Sequence, residues 1–402
     1  MSSIHLPIEV LYNILGRLPV RDLIRFTCVC KPWRDFITNP DFISTHLNLH
    51  RNIDGYVLHH KMASTGAGLN CFSCLHDKTY VEHSRFDIPF SCESFYFHLA
   101  GSLNGLLCLS DSYQYFGRTI YLWNPSIWKL KILRRTCFTH SYSDFTNFFA
   151  IGFGFDHHTN DYKIVRIMYF GDFYRHYVEK QQPKAEVYSL ARNSWRRIGT
   201  NAGSYAIDKI STAFVNGAVH WFASKPREAC GNFILTFDFG SEEFGEITLP
   251  RYQSDGIRPQ VSVTVLRESL ALIVSCFNNR ELSERCNIWV MSEYGMAESW
   301  TKRYSIVLEE RFFRCLGIIN NNELVLDKST REELVSYDLE NMQFKHLAIS
   351  KYTKDVVNFS VSLVLYNEGF RLTPRKYLFV EGGISLGKRK RSVFMHLQRK
   401  WL

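Results

Sequence analysis

Asp156-His157-His158, followed by Asp161, is the densest set of groups in this 402-residue chain that could hold a divalent cation or pass a proton. The set lies between two alternating apolar runs, 153–155 and 162–165, and that placement predicts a solvated turn rather than a site. Cys71-x-x-Cys74, with His76 and His83 close by, has the spacing of half a zinc site. No second Cys-x-x-Cys follows at the usual distance. His220 stands beside Trp221 in an alternating run, so it reads as a strand residue and not as a base. A nucleophile elbow, a phosphate-binding glycine loop, a His-Glu-x-x-His helix and a zinc-deaminase pattern are all missing from the sequence. No catalytic residue, no metal site and no cofactor is assigned.

Composition narrows the remaining classes. With 46% hydrophobic and 15% aromatic residues the chain is that of a folded protein, and no window reaches the 18 or so apolar residues of a membrane span. The eleven cysteines are odd in number and mostly scattered, unlike a secreted disulfide framework, which places the protein in the cytoplasm, the nucleus or both. The net charge of +9 suggests nucleic acid until it is located. From Gly369 on, nine Lys or Arg face one Glu, so eight of the nine charges belong to the tail and residues 1–368 are nearly neutral. Phosphate binding needs concentrated cationic surface, which argues against nucleic acid as the partner of the main body. Lys388-Arg389-Lys390-Arg391 has the form of a nuclear-import signal or a contact for acidic surfaces; the alternative is a solvated tail.

What the chain does must then lie in its surfaces, and the stretch 6–36 is conspicuously apolar. Pro7 suits a first helical turn, and Val10, Leu11, Ile14, Leu15 and Leu18 recur as one broad stripe. Pro19 ends that helix. A second helix follows from about Val20 to Thr27 with Leu23, Ile24 and Phe26, a third opens at Pro32 with Trp33, Phe36 and Ile37, and a fourth begins at Asn39-Pro40 with Phe42, Ile43 and Leu47. Four short helices in fifty residues form one small core, yet they cannot also hide Leu6, Ile14, Leu18, Leu23, Val29, Cys30 and Trp33. Either a partner covers that face or the large domain behind it does.

The order Leu6-Pro7, Glu9, Ile14-Leu15, Arg17-Leu18-Pro19-Val20, Leu23, Arg25-Phe26, Cys28-Val29-Cys30-Lys31, Trp33-Arg34 and Pro40-x-Phe42 closely resembles an F-box. The resemblance implies binding to a Skp-type adaptor, and through it to the cullin and RING subunit of a ubiquitin ligase. The contacts it implies are Leu6, Pro7, Ile14, Leu15, Leu18, Pro19, Leu23, Val29, Cys30 and Trp33, with Leu11, Ile24 and Phe26 holding the F-box's own core.

Beyond Gly101 the period becomes alternating and one pattern recurs: an apolar strand with an aromatic, a polar turn, then another aromatic-bearing strand. Its first aromatics are Trp123, Tyr188, Phe237, Trp289 and Tyr337, a repeat of about 50 residues with one inserted loop at 170–183. A second hairpin precedes each unit, with turns at Asn104-Gly105, Thr159-Asn160, Asn216-Gly217, Glu268-Ser269 and Asn321-Asn322. Two hairpins make a four-stranded blade, and five such blades stack into a β-propeller. Residues 52–90, with Tyr56-Val57-Leu58, and the run 357–365 are left for a further blade built from both chain ends, closing the ring at about six.

Phe153-Gly154-Phe155-Asp156, Asn160-Asp161-Tyr162-Lys163, Val187-Tyr188-Ser189-Leu190 with Ser194-Trp195, and Asn216-Gly217-Ala218-Val219-His220-Trp221 resemble the kelch-like F-box-associated interaction domain of plant F-box proteins, a family that includes S-locus F-box-like members. The expected layout is an all-α F-box over 1–50, an all-β kelch-like propeller over 51–368 and a basic tail over 369–402. The expected role is the substrate-recognition subunit of an SCF-type (Skp, cullin, F-box) E3 ligase, non-catalytic itself, with an unidentified protein as target and no membrane. Tyr174, Arg175, His176 and Tyr177 of the inserted loop are the candidate target contacts. The rival readings are a propeller enzyme, or a scaffold without ligase output, anchored through the helices.

Overall fold

A computed structural model describes residues 7–50, 97–111, 119–133, 147–170, 183–200, 205–225, 232–252, 259–278, 283–308, 312–319, 322–328 and 333–347, and the strand backbones at 56–61, 71–75, 82–88, 353–359, 371–372 and 377–378. Four helices come first: α1 (Ile8–Leu15), α2 (Val20–Phe26), α3 (Lys31–Ile37) and α4 (Pro40–Leu49). Proline sets every start. Pro7 and Pro19 cap α1 and α2, and Pro32 and Pro40 stand in the first turns of α3 and α4, where a missing N–H costs nothing. Asn39 caps α4, its Oδ1 accepting from the Asp41 N–H at 2.7 Å.

Three strands follow, β1 (Tyr56–Lys61), β2 (Cys71–Leu75) and β3 (Glu82–Asp87). Five contiguous runs then each fold into an antiparallel blade in chain order. They are β4 (Phe97–Leu103), β5 (Leu106–Asp111), β6 (Ile120–Asn124) and β7 (Lys129–Leu133); β8 (Asn147–Asp156), β9 (Asp161–Phe170), β10 (Lys184–Ser189) and β11 (Ser194–Ile198); and β12 (Ala206–Val215), β13 (Ala218–Ser224), β14 (Asn232–Asp238) and β15 (Phe244–Thr248). The last two are β16 (Gln260–Leu266), β17 (Ser269–Asn278), β18 (Ser283–Met291) and β19 (Trp300–Leu308), then β20 (Phe312–Ile319), β21 (Glu323–Lys328), β22 (Glu333–Asp338) and β23 (Gln343–His346).

β24 (Thr353–Phe359) pairs with β1, so the remaining sheet takes strands from both ends of the chain. The first strands β4, β8, β12, β16, β20 and β24 lie side by side around a closed ring. The chain therefore has five blades of contiguous sequence, against an expected count of about six, and the place between the fifth and the first is taken by the composite sheet. Four antiparallel strands in chain order are common to propellers at large, so this topology does not single out the kelch type that was expected. Beyond residue 368, β25 (Arg371–Leu372) pairs with β7, and β26 (Tyr377–Leu378) pairs with β3.

The repeat aromatics Trp123, Tyr188, Phe237, Trp289 and Tyr337 all sit on third strands. In three blades a fourth-strand aromatic stands directly opposite, Tyr188 with Trp195 at 5.2 Å, Phe237 with Phe244 at 4.9 Å and Tyr337 with Phe344 at 4.8 Å. Such cross-strand pairs pin register, which in a half-buried strand decides which face is buried. Asn104-Gly105 and Asn216-Gly217 take φ of 51° and 75° at both turns, as a type I′ turn requires. The third two-residue turn is Arg267-Glu268, one residue earlier than expected, since Leu266 pairs with Ser269.

His220, on β13, is fully buried and ties the third blade to the fourth. Its Nδ1 lies 3.1 Å from the Ala213 carbonyl, which can only accept, so the neutral ring carries its proton there and Nε2 accepts from the Tyr294 hydroxyl at 2.8 Å. Burial pushes its pKa from 6.5 down to about 4, against the opposing pull of hydrogen bonds at Ala213 and Ala218. The folded state thus resists a proton that the unfolded chain accepts. This contribution to stability is complete above about pH 6.5 and is lost as pH falls toward 4, by up to about 3 kcal/mol. Urea unfolding in pH steps should show this decline, and His220→Gln should flatten it; an unchanged slope would assign the effect elsewhere.

Candidate partner-binding face

At 100° per residue, the apolar stripe of α1 splits into two neighbouring strips. Tyr12 and Leu15 face inward; Val10 and Ile14 face outward. The inner strip joins Val20, Leu23, Ile37 and Phe42 in a core whose members are at most 2% exposed apart from Tyr12, and Tyr12 packs its ring on Phe36 at 4.8 Å and on Phe42 at 5.6 Å. Ile127, from the turn between β6 and β7, completes this core at 4% exposure.

With that core filled, Ile8 is left 57% exposed, Val10 38%, Ile14 49% and Val29 64%. The propeller covers the α4 side, where Ile43 and Leu47 pack against the cluster of the first two blades, but not these side chains. Each exposed β-branched residue forgoes roughly 1.5–3 kcal/mol of burial, which a partner surface would recover.

The turn carrying Val29 is held in place. Thr27 Oγ1 donates to the Ile24 carbonyl at 2.7 Å, and Arg34 Nε donates to the Thr27 carbonyl at 3.2 Å, tying α3 to the end of α2. Cys30 is exposed at the start of α3, and Trp33 is half-buried with its ring edge-on to Phe26 at 5.2 Å. His46 reaches from α4 to the Leu18 carbonyl at 3.0 Å, fixing the turn that bears Leu18 and Pro19. Burial lowers the His46 pKa, so this link is made by the neutral ring.

Of the expected contacts, Pro7, Ile14, Pro19, Val29 and Cys30 are exposed, and Leu18 and Trp33 are half-buried. Leu15 and Leu23 are not available. At 1% and 0% exposure they are the centre of the domain's own core, in the role expected of Leu11, Ile24 and Phe26, which are only half-buried. Leu6 and the loop residues Tyr174, Arg175, His176 and Tyr177 lie outside the described residues. Ile8 and Val10, which were not among the expected contacts, are also exposed. The Val10–Ile14 spacing of four was the available signal, obscured because their inward neighbours are equally apolar.

The groups that suggested chemistry are otherwise engaged. Asp156 is buried, and its carboxylate accepts from the N–H groups of His158 and Thr159, from the Thr159 hydroxyl and from Lys163 at 2.9 Å. Burial alone would raise its pKa, but these bonds outweigh it and hold the carboxyl well below the usual range. Asp161 accepts from Ser189 Oγ and from the Ala191 N–H at 2.8 Å. The segment is a turn, as expected, though its two carboxylates are buried rather than solvated. Cys71 and Cys74 both lie on strand β2. Among the described residues no group of three or more His, Cys, Asp or Glu is placed to hold a metal ion. At the propeller centre, Thr212 Oγ1 of β12 donates to the Ala100 carbonyl of β4 at 3.1 Å, so the first and third blades touch directly there.

Residues 4–45 match the F-box domain, and residues 78–364 match the family described as the F-box associated beta propeller domain. An F-box protein of Arabidopsis thaliana is 28% identical over 379 residues, which cover 85% of this chain and 87% of that protein. An F-box/kelch-repeat protein of the same plant is 28% identical over 86% of this chain and 91% of its own length. A third relative, the Arabidopsis F-box protein CPR1, is 27% identical over 89% of each.

Proposed function

The chain belongs to the F-box proteins that carry an F-box-associated β-propeller domain, and on that premise we propose that it is the substrate-recognition subunit of an SCF-type ubiquitin ligase. Proteins of this build are in general non-catalytic adaptors of such ligases. Here the helices bind a Skp-type adaptor, the kelch-like propeller binds a target protein, and no catalytic residue is required of this chain. Its contribution to rate is effective concentration: a target held beside the charged conjugating enzyme meets it without a bimolecular encounter. A nucleocytoplasmic location follows from this role.

The observation that carries the reading is the exposed set Ile8, Val10, Ile14 and Val29, left over after the propeller's Ile127 has already completed the helical core. The adaptor supplies the missing cover, with Pro7, Leu18, Pro19, Cys30 and Trp33 around it. Target selection is assigned to the propeller connections, because loops on a rigid scaffold change without cost to the core.

Co-expression with a Skp-type adaptor followed by size-exclusion chromatography tests this directly. One-to-one co-elution is the expected result; a chain that runs alone, folded and monodisperse, overturns it. Point variants of the exposed face make the better control, since removing residues 1–50 would also uncover Ile127.

A further inference from the structure

The helical domain and the propeller are joined by more than the chain between them. Ile127 of the first blade lies in one cluster with Leu15, Val20, Leu23, Ile37 and Phe42 of the F-box. In the opposite direction, Ile43 of α4 touches both that cluster and the core of the first two blades, and Leu47 packs beside it on the blades. Each domain thus inserts side chains into the other.

The turn that presents Ile127 is itself rigid. Asn124 Oδ1 accepts from the Ser126 N–H at 2.9 Å, and Trp128 takes a φ of 57° with its ring edge-on to Trp123 at 6.3 Å. Trp123 is fully buried in its strand, so the turn cannot swing without opening the blade. Ile127 is therefore a fixed peg and not a flexible side contact.

Antiparallel order places the β6–β7 turn at the same end of its blade as the β4–β5 turn, and the connections between second and third strands at the other end. The F-box consequently docks on the tight-turn end of the propeller. The ends of β9 and β10, at Phe170 and Lys184, open on the opposite end.

Across a small interface, segments of one chain move relative to each other by default; this junction is small, but its side chains interlock in both directions. Here we infer that Ile127 is a positioning residue that, with Ile43 and Leu47, makes the F-box and propeller one rigid body. The adaptor face and the far end of the propeller are then held at a fixed distance and angle. The rigidity stands independently of the ligase reading; its use in aligning a target for ubiquitin transfer rests on that reading.

Single-molecule energy transfer tests the inference in the full chain, with dyes on non-canonical residues placed at the exposed positions Thr45 of α4 and Lys302 of β19. The wild type is expected to give one narrow distance distribution. Ile127→Ala should broaden it clearly beyond the wild-type width, as for domains that move independently, while Ile127→Val should restore it. Ile43→Ser with Leu47→Ser, which leaves the blade turn intact, should broaden it too. A broad distribution in the wild type, or an Ile127→Ala distribution as narrow as the wild type, would overturn the inference. Adaptor affinity measured on the same samples keeps the two readings apart: a narrow distribution without adaptor binding would remove the ligase role and leave the rigid body standing.

Discussion

Ile14→Asp together with Val29→Asp is expected to weaken binding to a Skp-type adaptor by more than about a hundredfold, because each change puts a charge at the centre of an apolar contact worth roughly 2 kcal/mol or more. Both side chains are about half exposed or more in the free chain, so circular dichroism and the unfolding midpoint should stay at wild-type values. The choice of pair matters. Leu18→Asp with Leu23→Asp looks equivalent in the sequence, but Leu23 is fully buried, and a carboxylate there would dismantle the helical core. That variant would lose adaptor binding for a reason that says nothing about the interface. Titration calorimetry on the Ile14 and Val29 pair, beside a Leu23→Asp control that loses its cooperative helical unfolding, separates the two causes. Full-strength binding by the first pair would remove α1 and the α2–α3 turn from the interface.

How far the sequence could be read follows from which interactions are local. Helix starts at Pro7, Pro19, Pro32 and Pro40 were legible because proline acts on its own backbone. The blades were legible because an aromatic on each third strand recurs at about 50 residues and Asn-Gly fixes two of the hairpins. The division of the F-box stripe into core and face was not, since Leu15 and Ile14 differ only by 100° of helix rotation and the deciding neighbour, Ile127, comes more than a hundred residues later. Burial of the Asp161 carboxylate was hidden for a similar reason. Its partners Ser189, at the end of β10, and Ala191, in the turn after it, come 28 and 30 residues later. Even the Phe-Gly-Phe-Asp motif has a long-range cause: a Cβ on Gly152 or Gly154 would run into Trp221 or Phe239 of the next blade.

The second large effect concerns the blade that carries the 171–182 connection. Arg166 of β9 pairs with Glu186 directly across on β10, both side chains at 1% exposure or less, and the guanidinium lies 5.1 Å over the rings of both Phe149 and Trp195. Removing one partner leaves the other charge buried, so Arg166→Ala should cost about 3–5 kcal/mol, read as a lower urea midpoint with an unchanged slope. Arg166→Met with Glu186→Leu removes both charges at similar volume and should recover most of the loss. A buried pair of this kind adds little net stability; what it does is penalise every register in which the two do not meet. Arg166 and Glu186 sit a few residues below the ends of β9 and β10, so the register they enforce sets where the connection to the far end begins. If Arg166→Ala proved neutral, β9 and β10 would be held in line by their apolar pairs alone, and the ion pair would have no part in positioning that connection.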